Sequence, residues 1–311
     1  ERLTVFVSSR GILKSCACHT PMPASSKAHI FPELLAAHRP GGSIYVCTEA
    51  LTHFVDHFLD RLDSAFTLVS GDSDLPVDAA MLSEPRIARL LASQNLVAWY
   101  AQNLSARHAK LRPLPIGLDY HTMWERPGYW GLTATAPIAQ EHALLATLAE
   151  APEFRQRHFS AYCNWHFAPT PDRIECARRV DKALCFYEPH RLPRLSAWRR
   201  QAECMFVLSP EGNGMDCHRT WEALLLGNIP VVRRNPLVGL YDGLPVLVVD
   251  DWADVTRERL AGWAATLESK RFDFRPLFRE FWMKRIAGHQ LPCLDPMTFG
   301  EFRHWLTNRG V

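Results

Sequence analysis

Several features that mark common classes of protein are missing from this chain of 311 residues. No uninterrupted apolar run approaches the ~18 residues that a membrane-spanning helix needs, so we expect no transmembrane segment. A large excess of positive or negative charge is also missing. The formal net charge is only +2 and no long basic run occurs, so nucleic acid is not an expected partner, whereas a small anionic ligand is compatible with this balance.

Two sequence motifs are missing as well. The nine cysteines include no C-x-x-C pair, and their odd number indicates reduced thiols, several of them in the core. Cys16-Ala-Cys18-His19 has the residue types of half a zinc site, but no second pair with suitable spacing follows, and we expect no metal. No G-x-G-x-x-G follows the first apolar segment, Leu3–Ser8, which disfavours a NAD-type oxidoreductase.

Apolar runs and amphipathic segments alternate twice along the chain. Length alone suggests two domains of roughly 150 residues each. Strands that alternate with helices indicate an α/β fold with two Rossmann-like, doubly wound parallel sheets. We predict domains at 1–150 and 151–290 and a C-terminal helix within 291–311, with a linker zone over Trp124–Leu144. The predicted strands are Leu3–Ser8, Ser43–Thr48, Ala65–Ser70, Leu96–Tyr100 (strand or short helix), 110–119, Ser160–Asn164, Ala183–Tyr187, Phe206–Leu208, Ile229–Val232 and Leu244–Val249.

Helical spacing predicts the intervening elements. They are Phe31–His38, Ala50–Leu62, Ala79–Ser83, Pro85–Ala92, Glu141–Leu148, Asp172–Val180, Leu195–Gln201, Thr256–Leu267, Pro276–Ile286 and Met297–Thr307. A further helix is expected behind Asp216 as its N-cap, ending at Gly227. Arg10–Ser26 is expected to be a polar loop.

The stretch from Phe206 to Val232 predicts a strand, a glycine-rich loop, a helix and a second strand. A helix N-terminus behind glycines suits an anionic group, because backbone N–H groups without intrahelical partners point at it. Arg219 and His218 in the first helical turn add cationic donors that suit a diphosphate. A carboxylate at Glu222 suits a ribose diol, so the stretch predicts a sugar-nucleotide site.

The same stretch resembles the donor-binding motif of exostosin-like (family 47-like) glycosyltransferases of the GT-B fold. In that family an Arg-containing helix start is followed by a Glu-Ala-Leu step and a Gly-x-Ile/Pro-Val-Val strand. The resemblance covers mainly residues 158–260, with weaker similarity at 66–119, and extends to small algal-virus and bacterial sugar transferases. It rests on Ser209–Arg219, Trp221-Glu-Ala-Leu224, Gly227–Val232, Gln102-Asn103, Pro115–Asp119, Tyr241–Val246 and the helix of Arg173.

The resemblance implies two Rossmann-like domains that face a cleft and transfer a hexosyl or pentosyl group from a nucleoside diphosphate sugar to a hydroxyl of a glycan acceptor. It assigns the acceptor side to 1–150 and the nucleotide sugar to 151–290, and it implies that the C-terminal helix within 291–311 crosses back to the first domain. A UDP-sugar is the favoured donor, with a GDP-sugar as the alternative. No cofactor or metal is expected, because protein cations and a helix N-terminus stabilise the leaving diphosphate. Arg173 and Arg219 are assigned to the diphosphate and Glu222 to the ribose, against a capping role or an i,i+4 ion pair for the carboxylate. The other donor-binding candidates are Asn164, His166, Tyr187, Ser209, Gly212, Asn213, Gly214 and His218.

An inverting transfer, which we favour, needs a general base for the acceptor hydroxyl. Asp74, and after it Asp72, follow the predicted strand Ala65–Ser70 and are the candidates. Asp119, His19, His121 and a retaining mechanism without such a base remain open. Asp72-Ser73-Asp74 also spells the metal-diphosphate signature of the other large transferase fold, but a three-residue match is weak.

Two questions stay open on sequence alone. A non-catalytic module that binds a nucleotide sugar or phospho-ligand would need Arg219 and Glu222 but not the two aspartates. The chain begins Glu1-Arg-Leu without an initiator Met, so we expect residues upstream. Reduced thiols favour the cytoplasm, and the Golgi lumen is the alternative if an anchor preceded the chain.

Overall fold

The computed structural model describes residues 1–20, 35–130, 133–267 and 269–308. Its strands are β1 Ser43–Cys47, β2 Phe66–Gly71, β3 Leu96–Ala101, β4 Leu111–Pro113, β5 His158–Cys163, β6 Cys185–Tyr187, β7 Cys204–Leu208, β8 Ile229–Arg233 and β9 Leu247–Val249. Its helices are α1 Ser9–Leu13, α2 Leu51–His57, α3 Ala79–Ser83, α4 Pro85–Ala92, α5 Tyr120–Glu125, α6 Pro127–Trp130, α7 Pro137–Glu150, α8 Pro171–Arg179, α9 Arg194–Ala202, α10 His218–Leu225, α11 Arg257–Thr266, α12 Arg279–Ile286 and α13 Phe299–Asn308.

Contacts between residues divide the chain into two compact units. The first comprises Glu1–Leu3, Val7–Ile116 and Phe278–Pro292, and the second comprises Thr4–Phe6, Gly117–Leu277 and Cys293–Val311. The sequence-based domains 1–150, 151–290 and 291–311 stay a prediction, because a unit defined by contacts need not coincide with a functional domain.

The first unit contains a four-stranded sheet in the order β1-β2-β3-β4, with every pair parallel. Strand β2 is buried at every position, as expected for an inner strand covered on both faces. Helix α12, although late in the chain, packs on α1 in this unit.

The second unit contains a five-stranded sheet in the order β6-β5-β7-β8-β9, again entirely parallel. The chain runs outward from β5 to β6 and then returns to β7 on the other side of β5. This reversal creates a topological switch point between β5 and β7, where open α/β sheets commonly bind ligands.

The α/β class and the parallel sheets are confirmed, and each strand predicted from residue 43 onward corresponds to a strand of the structure. Strand β4 covers only Leu111–Pro113 of the predicted 110–119, and β9 covers only Leu247–Val249 of the predicted Leu244–Val249. The strand predicted at Leu3–Ser8 is wrong. Only isolated bridge residues occur there, at Phe6 and Ser8, and the N–H groups of Val5 and Phe6 donate to the carboxylate of Glu141, at 2.9 and 3.2 Å. The loop predicted at Arg10–Ser26 contains helix α1, whose N-cap is Ser8. The helix predicted at Phe31–His38 lies mostly outside the described residues.

Helices α5, α6 and α7 occupy most of the predicted linker zone Trp124–Leu144, and its place between two domains stays a prediction. Buried polar residues in α7 hid its apolar periodicity. Gln140 donates to the carbonyls of Tyr120 and Thr135, and Glu141 accepts from the Tyr120 hydroxyl at 2.5 Å. Helix α13 packs on α7 in the second unit, where Arg303 donates to the carbonyl of Pro152. In the described part of the chain, no helix is long and apolar enough to cross a membrane.

Candidate functional site

The glycine-rich loop follows β7 and leads into α10, next to the switch point of the second sheet. Cys217, and not the predicted Asp216, is the N-cap residue, and it makes no side-chain capping hydrogen bond. Asp216 is instead buried and accepts hydrogen bonds from the Trp221 indole and the Tyr241 hydroxyl, both at 2.9 Å. The N-cap side chain therefore satisfies none of the backbone N–H groups at the start of α10.

A buried carboxylate fixes this loop to the beginning of α8. Asp172 in the first turn of α8 accepts the N–H of Glu211 at 2.8 Å and the Trp252 indole N–H at 2.8 Å. It also pairs with Arg233 at 2.8 Å. The glycine loop and the first turn of α8 are thereby held in one arrangement, which sets the distance between the side chains that each carries.

Arg173 of α8 and Arg219 of α10 approach each other across this loop. A Cβ added to Gly212 would lie 3.1 Å from Nη2 of Arg173, so the glycine allows the guanidinium to lie against the backbone. Arg219 Nη1 donates to the Pro210 carbonyl at 3.2 Å. Burial, and next the charge of Arg219, lowers the pKa of Arg173, as expected for two half-buried cations near one another.

Neither arginine is neutralised within the described ranges. No carboxylate there lies within ion-pair distance of Arg173 or Arg219, although many other arginines of the chain have such partners. Nε of Arg173 is buried without a hydrogen-bond partner among the described residues. Two adjacent cations with spare donors beside an uncapped helix start form a site that suits an anion with several oxygens.

The remaining donor-binding candidates lie at or just after strand ends of the same sheet, or in the glycine-rich loop. Asn164 and His166 follow β5, and the His166 ring lies 5.3 Å from the ring of Tyr187 at the end of β6. Ser209 is buried and shares a 2.9 Å hydrogen bond with Thr220. Gly212 and Gly214 are joined by a 3.1 Å backbone hydrogen bond around the exposed Asn213.

Glu222 lies on the buried side of α10, within an ion pair. Its Oε1 is 3.4 Å from Nη1 of Arg194 on α9. The same arginine donates to the Asp119 carboxylate at 2.8 Å and to the Asp119 carbonyl at 2.5 Å. The observed ion pair therefore joins Glu222 to a second helix and is not an i,i+4 pair within α10, and the contact of Glu222 with a ribose stays a prediction.

Two histidines lie beside Asp119. Its carboxylate is 3.2 Å from Nδ1 of His121, and the rings of His121 and His218 are 6.3 Å apart. His218 Nδ1 is 2.6 Å from the Gly117 carbonyl, so this nitrogen carries the proton and donates. Burial alone would raise the pKa of Asp119, but the charges of Arg194, His218 and His121 outweigh it and hold that pKa well below its usual range.

The two aspartates predicted as bases lie in the first unit and differ in their surroundings. Asp72 follows β2 with a positive φ of 54°, and its Oδ1 is 3.5 Å from Nε of the buried Arg10. Asp74 is exposed. Among the described residues, no three His, Cys, Asp or Glu side chains are grouped so as to hold a metal ion.

Sequence reasoning missed Arg194, which joins three distant segments of the second unit. Its neighbours in the sequence carry no motif, and only the fold brings Asp119, Arg194 and Glu222 together.

No protein-family model matches this chain, and a search of curated proteins finds no significant match.

Proposed function

We propose that this chain is a glycosyltransferase that moves a sugar from a nucleoside diphosphate sugar to a hydroxyl of a glycan acceptor. The observation that carries the proposal is the pair Arg173 and Arg219. Both are half-buried, they repel one another, and among the described residues neither has a carboxylate partner. A diphosphate would relieve this repulsion and fill their spare donors, and the same charges would stabilise it as a leaving group.

The position of the pair adds support. It lies at the loops after β5 and β7, where the strand order of the second sheet reverses. Helix α10 adds the partial positive charge of its N-terminus to the two guanidinium groups. A nucleotide fits this combination better than inorganic phosphate does, because the aromatic rings of His166 and Tyr187 at the neighbouring strand ends could contact a nucleobase.

The finer features of the proposal follow from the exostosin-like resemblance. They are a GT-B arrangement of two Rossmann-like domains, a UDP-sugar before a GDP-sugar, inversion at the anomeric carbon and catalysis without a metal. Protein cations take the place that a metal holds in other transferases.

Donor binding can be tested by calorimetry with UDP, after a thermal-shift screen of UDP- and GDP-sugars, since a donor stabilises the fold by mass action. We expect Arg219→Ala and Arg173→Ala each to weaken UDP binding by about tenfold to a hundredfold, the loss of a charged hydrogen-bond donor. Arg178→Ala, on the exposed side of α8, is the matched control and should bind as wild type does. Binding and turnover should both survive EDTA.

Unchanged affinity in both variants would exclude this pair as the diphosphate site. Binding without turnover on any donor would favour a non-catalytic binding module. A strict requirement for Mn²⁺ would contradict the metal-free mechanism.

A further inference from the structure

A buried carboxylate at the end of β6 has no hydrogen-bond partner for one of its oxygens. Glu188 directly follows β6, and its N–H donates to the carbonyl of Cys163, the last residue of β5, at 3.1 Å. Its side chain is 4% exposed, and Oε1 makes no hydrogen bond with any described residue. A buried acceptor without a donor costs free energy, so the position of this carboxylate calls for an explanation.

Arg200 of α9 forms only a long ion pair with Glu188. Its Nε lies 3.6 Å from Oε1, which is too far for a hydrogen bond, and its guanidinium lies over the ring of Phe186, 5.0 Å from the centroid. The Arg200 side chain is 45% exposed and also pairs with Glu203 at 3.1 Å. Arg200 can therefore turn towards solvent and Glu203 without losing a hydrogen bond to Glu188.

A buried hydroxyl lies near this carboxylate. Tyr162 of β5 is buried, and its ring stacks with that of Phe186, its register partner on β6, at 6.2 Å. Burial, and next the charge of Glu188, raises the pKa of Tyr162 well above its ordinary range, so the hydroxyl keeps its proton. That hydroxyl makes no hydrogen bond of ordinary geometry within the part of the chain that the structure describes. A buried donor and a buried acceptor, both unsatisfied, thus lie together.

Glu188 lies at the same end of the five-stranded sheet as the proposed diphosphate site. It follows β6, the loop of Asn164 and His166 follows β5, and the glycine-rich loop follows β7. Neighbouring strands are about 4.8 Å apart, so the ends of β6 and β7, with β5 between them, are about 10 Å apart. A nucleoside diphosphate has its base one ribose away from its phosphates, so its two ends need binding sites that are separated in this way.

The hydrogen-bonding groups of Glu188 and Tyr162 match guanine better than uracil. The Watson–Crick edge of guanine has one acceptor, O6, followed by two donors, N1–H and the 2-amino group. An ionised carboxylate only accepts, so both donors can bond to Glu188, while the Tyr162 hydroxyl can donate to O6. Uracil has a single N–H between two carbonyl oxygens, and one of these oxygens would face the carboxylate. Two acceptors without a proton between them repel, so this site favours guanine.

We infer that Glu188 selects the base of the donor, with Tyr162 as its neighbouring hydrogen-bond donor, and that the donor is a guanosine diphosphate sugar. The inference rests on the proposed function, and it reverses the order of UDP and GDP that the exostosin-like resemblance favours. Arg200 moves away from Glu188 when the base binds. UDP has the same diphosphate and still binds at Arg173 and Arg219, with a lower affinity than GDP.

Calorimetry of the whole chain with GDP, UDP and inosine diphosphate tests the inference. Inosine diphosphate differs from GDP only in lacking the 2-amino group, so it donates one hydrogen bond fewer to Glu188. We expect wild type to bind GDP about tenfold to a hundredfold more tightly than either of the other two, the effect of one hydrogen bond to a charged group. Glu188→Gln should lose this preference, because a carboxamide has one acceptor and one donor where the carboxylate has two acceptors. Its affinity for UDP should not fall.

Glu203→Gln is the matched control, because it removes the other carboxylate that pairs with Arg200, and it should keep the wild-type preference. The comparison of GDP with inosine diphosphate in wild type does not depend on the folding of any variant. Equal affinity of wild type for these two ligands, or tighter binding of UDP than of GDP, would overturn the inference and leave the proposed function standing. A preference for GDP that survives in Glu188→Gln would place guanine recognition elsewhere and overturn it too. If wild type binds none of the three nucleoside diphosphates, the proposed function fails, and this role of Glu188 fails with it.

Discussion

Arg194 shows how one buried cation can hold a site together. It lies between two carboxylates, 2.8 Å from that of Asp119 and 3.4 Å from that of Glu222. Burial alone would lower the pKa of Arg194, but these two carboxylates raise it. Removing one partner of such a group leaves an uncompensated buried charge, which is far more destabilising than replacing the whole group. The position of the Asp119 carboxylate therefore depends on this buried cation.

The depressed pKa of Asp119 predicts a specific acid sensitivity. The ordinary value for this carboxyl is 3.8, and the folded value lies below it, so the charged form stabilises the fold above that pH. This contribution is lost as the pH falls below about 3.8 towards the folded value. We expect the free energy of unfolding of wild type to fall more steeply between about pH 4 and pH 2 than that of Asp119→Asn.

Urea unfolding at a series of pH values measures both slopes. Asp74→Asn, at an exposed carboxylate, is the control and should keep the wild-type slope. Equal slopes for wild type and Asp119→Asn would show that this carboxylate contributes nothing to acid sensitivity.

At the scale of the element, the two ends of α10 differ in whether side chains bond their backbone groups. Its start has no side-chain cap, whereas its last carbonyls accept from Arg157, at 3.0 Å from Leu226 and 2.6 Å from Gly227. Burial is the main cause that lowers the pKa of Arg157, to about 10, so the side chain stays charged at neutral pH. A cation at the C-terminus opposes the negative end of the helix dipole. An anion at the N-terminus would complete this pattern.

The backbone conformation at the C-terminal end of α10 requires a glycine. Gly227 has a φ of +70°, and a Cβ there would lie 3.1 Å from Nη2 of Arg157. We expect Gly227→Ala to destabilise the protein by about 1–2 kcal/mol from the left-handed backbone alone, and further if Arg157 is displaced. Gly262→Ala is the matched control, because a Cβ there meets open space inside α11, and we expect it to stabilise by about 0.5–1 kcal/mol. Chemical denaturation gives both values, and a Gly227→Ala protein as stable as wild type would contradict this account of the helix end.

How far the sequence predicts the elements depends on where their determinants lie. Helices α3 and α4 match their predicted bounds, because Asp78 and Glu84 cap them locally and Pro85 begins the second. The segment at Leu3–Ser8 does not match, because its hydrogen-bond partner is Glu141, far along the chain. Caps and prolines next to an element thus make its bounds predictable from sequence. A hydrogen-bond partner far along the chain can give a segment a different structure from the one its own residues favour.

The same distinction applies to the site. Arg173 and Arg219 follow neighbouring strands of one sheet, so alternation of strands and helices was enough to suggest that they meet. Arg194, Asp119 and Glu222 come from three different helices. The hydrophobic periodicity of each segment does not predict that these three side chains meet. The N-cap at Cys217 was missed for a similar reason, since Asp216 is occupied by Trp221 and Tyr241.

At the scale of the whole molecule, the two units have separate sheets and separate roles in the proposal. The donor-binding candidates all lie in the second unit, and Asp72 and Asp74 lie in the first. A ligand that binds the native protein stabilises most the parts that must stay folded to hold it. The response to a nucleotide should therefore be uneven along the chain.

Hydrogen exchange in the presence and absence of UDP can measure this response. We expect the largest gain in protection at amides of β5, β7 and α10, whose loops and N-terminus form the proposed diphosphate site, and a smaller gain at β1, β2 and β3. Arg219→Ala at the same UDP concentration should lose the gain at β7 and α10, while Arg178→Ala should keep it. A gain that is largest in the four-stranded sheet would place the nucleotide in the first unit and reverse the assignment of donor and acceptor sides. A gain that persists in Arg219→Ala would show that UDP binds the second unit without this guanidinium, and the diphosphate would then have to be sought at another strand end of the five-stranded sheet.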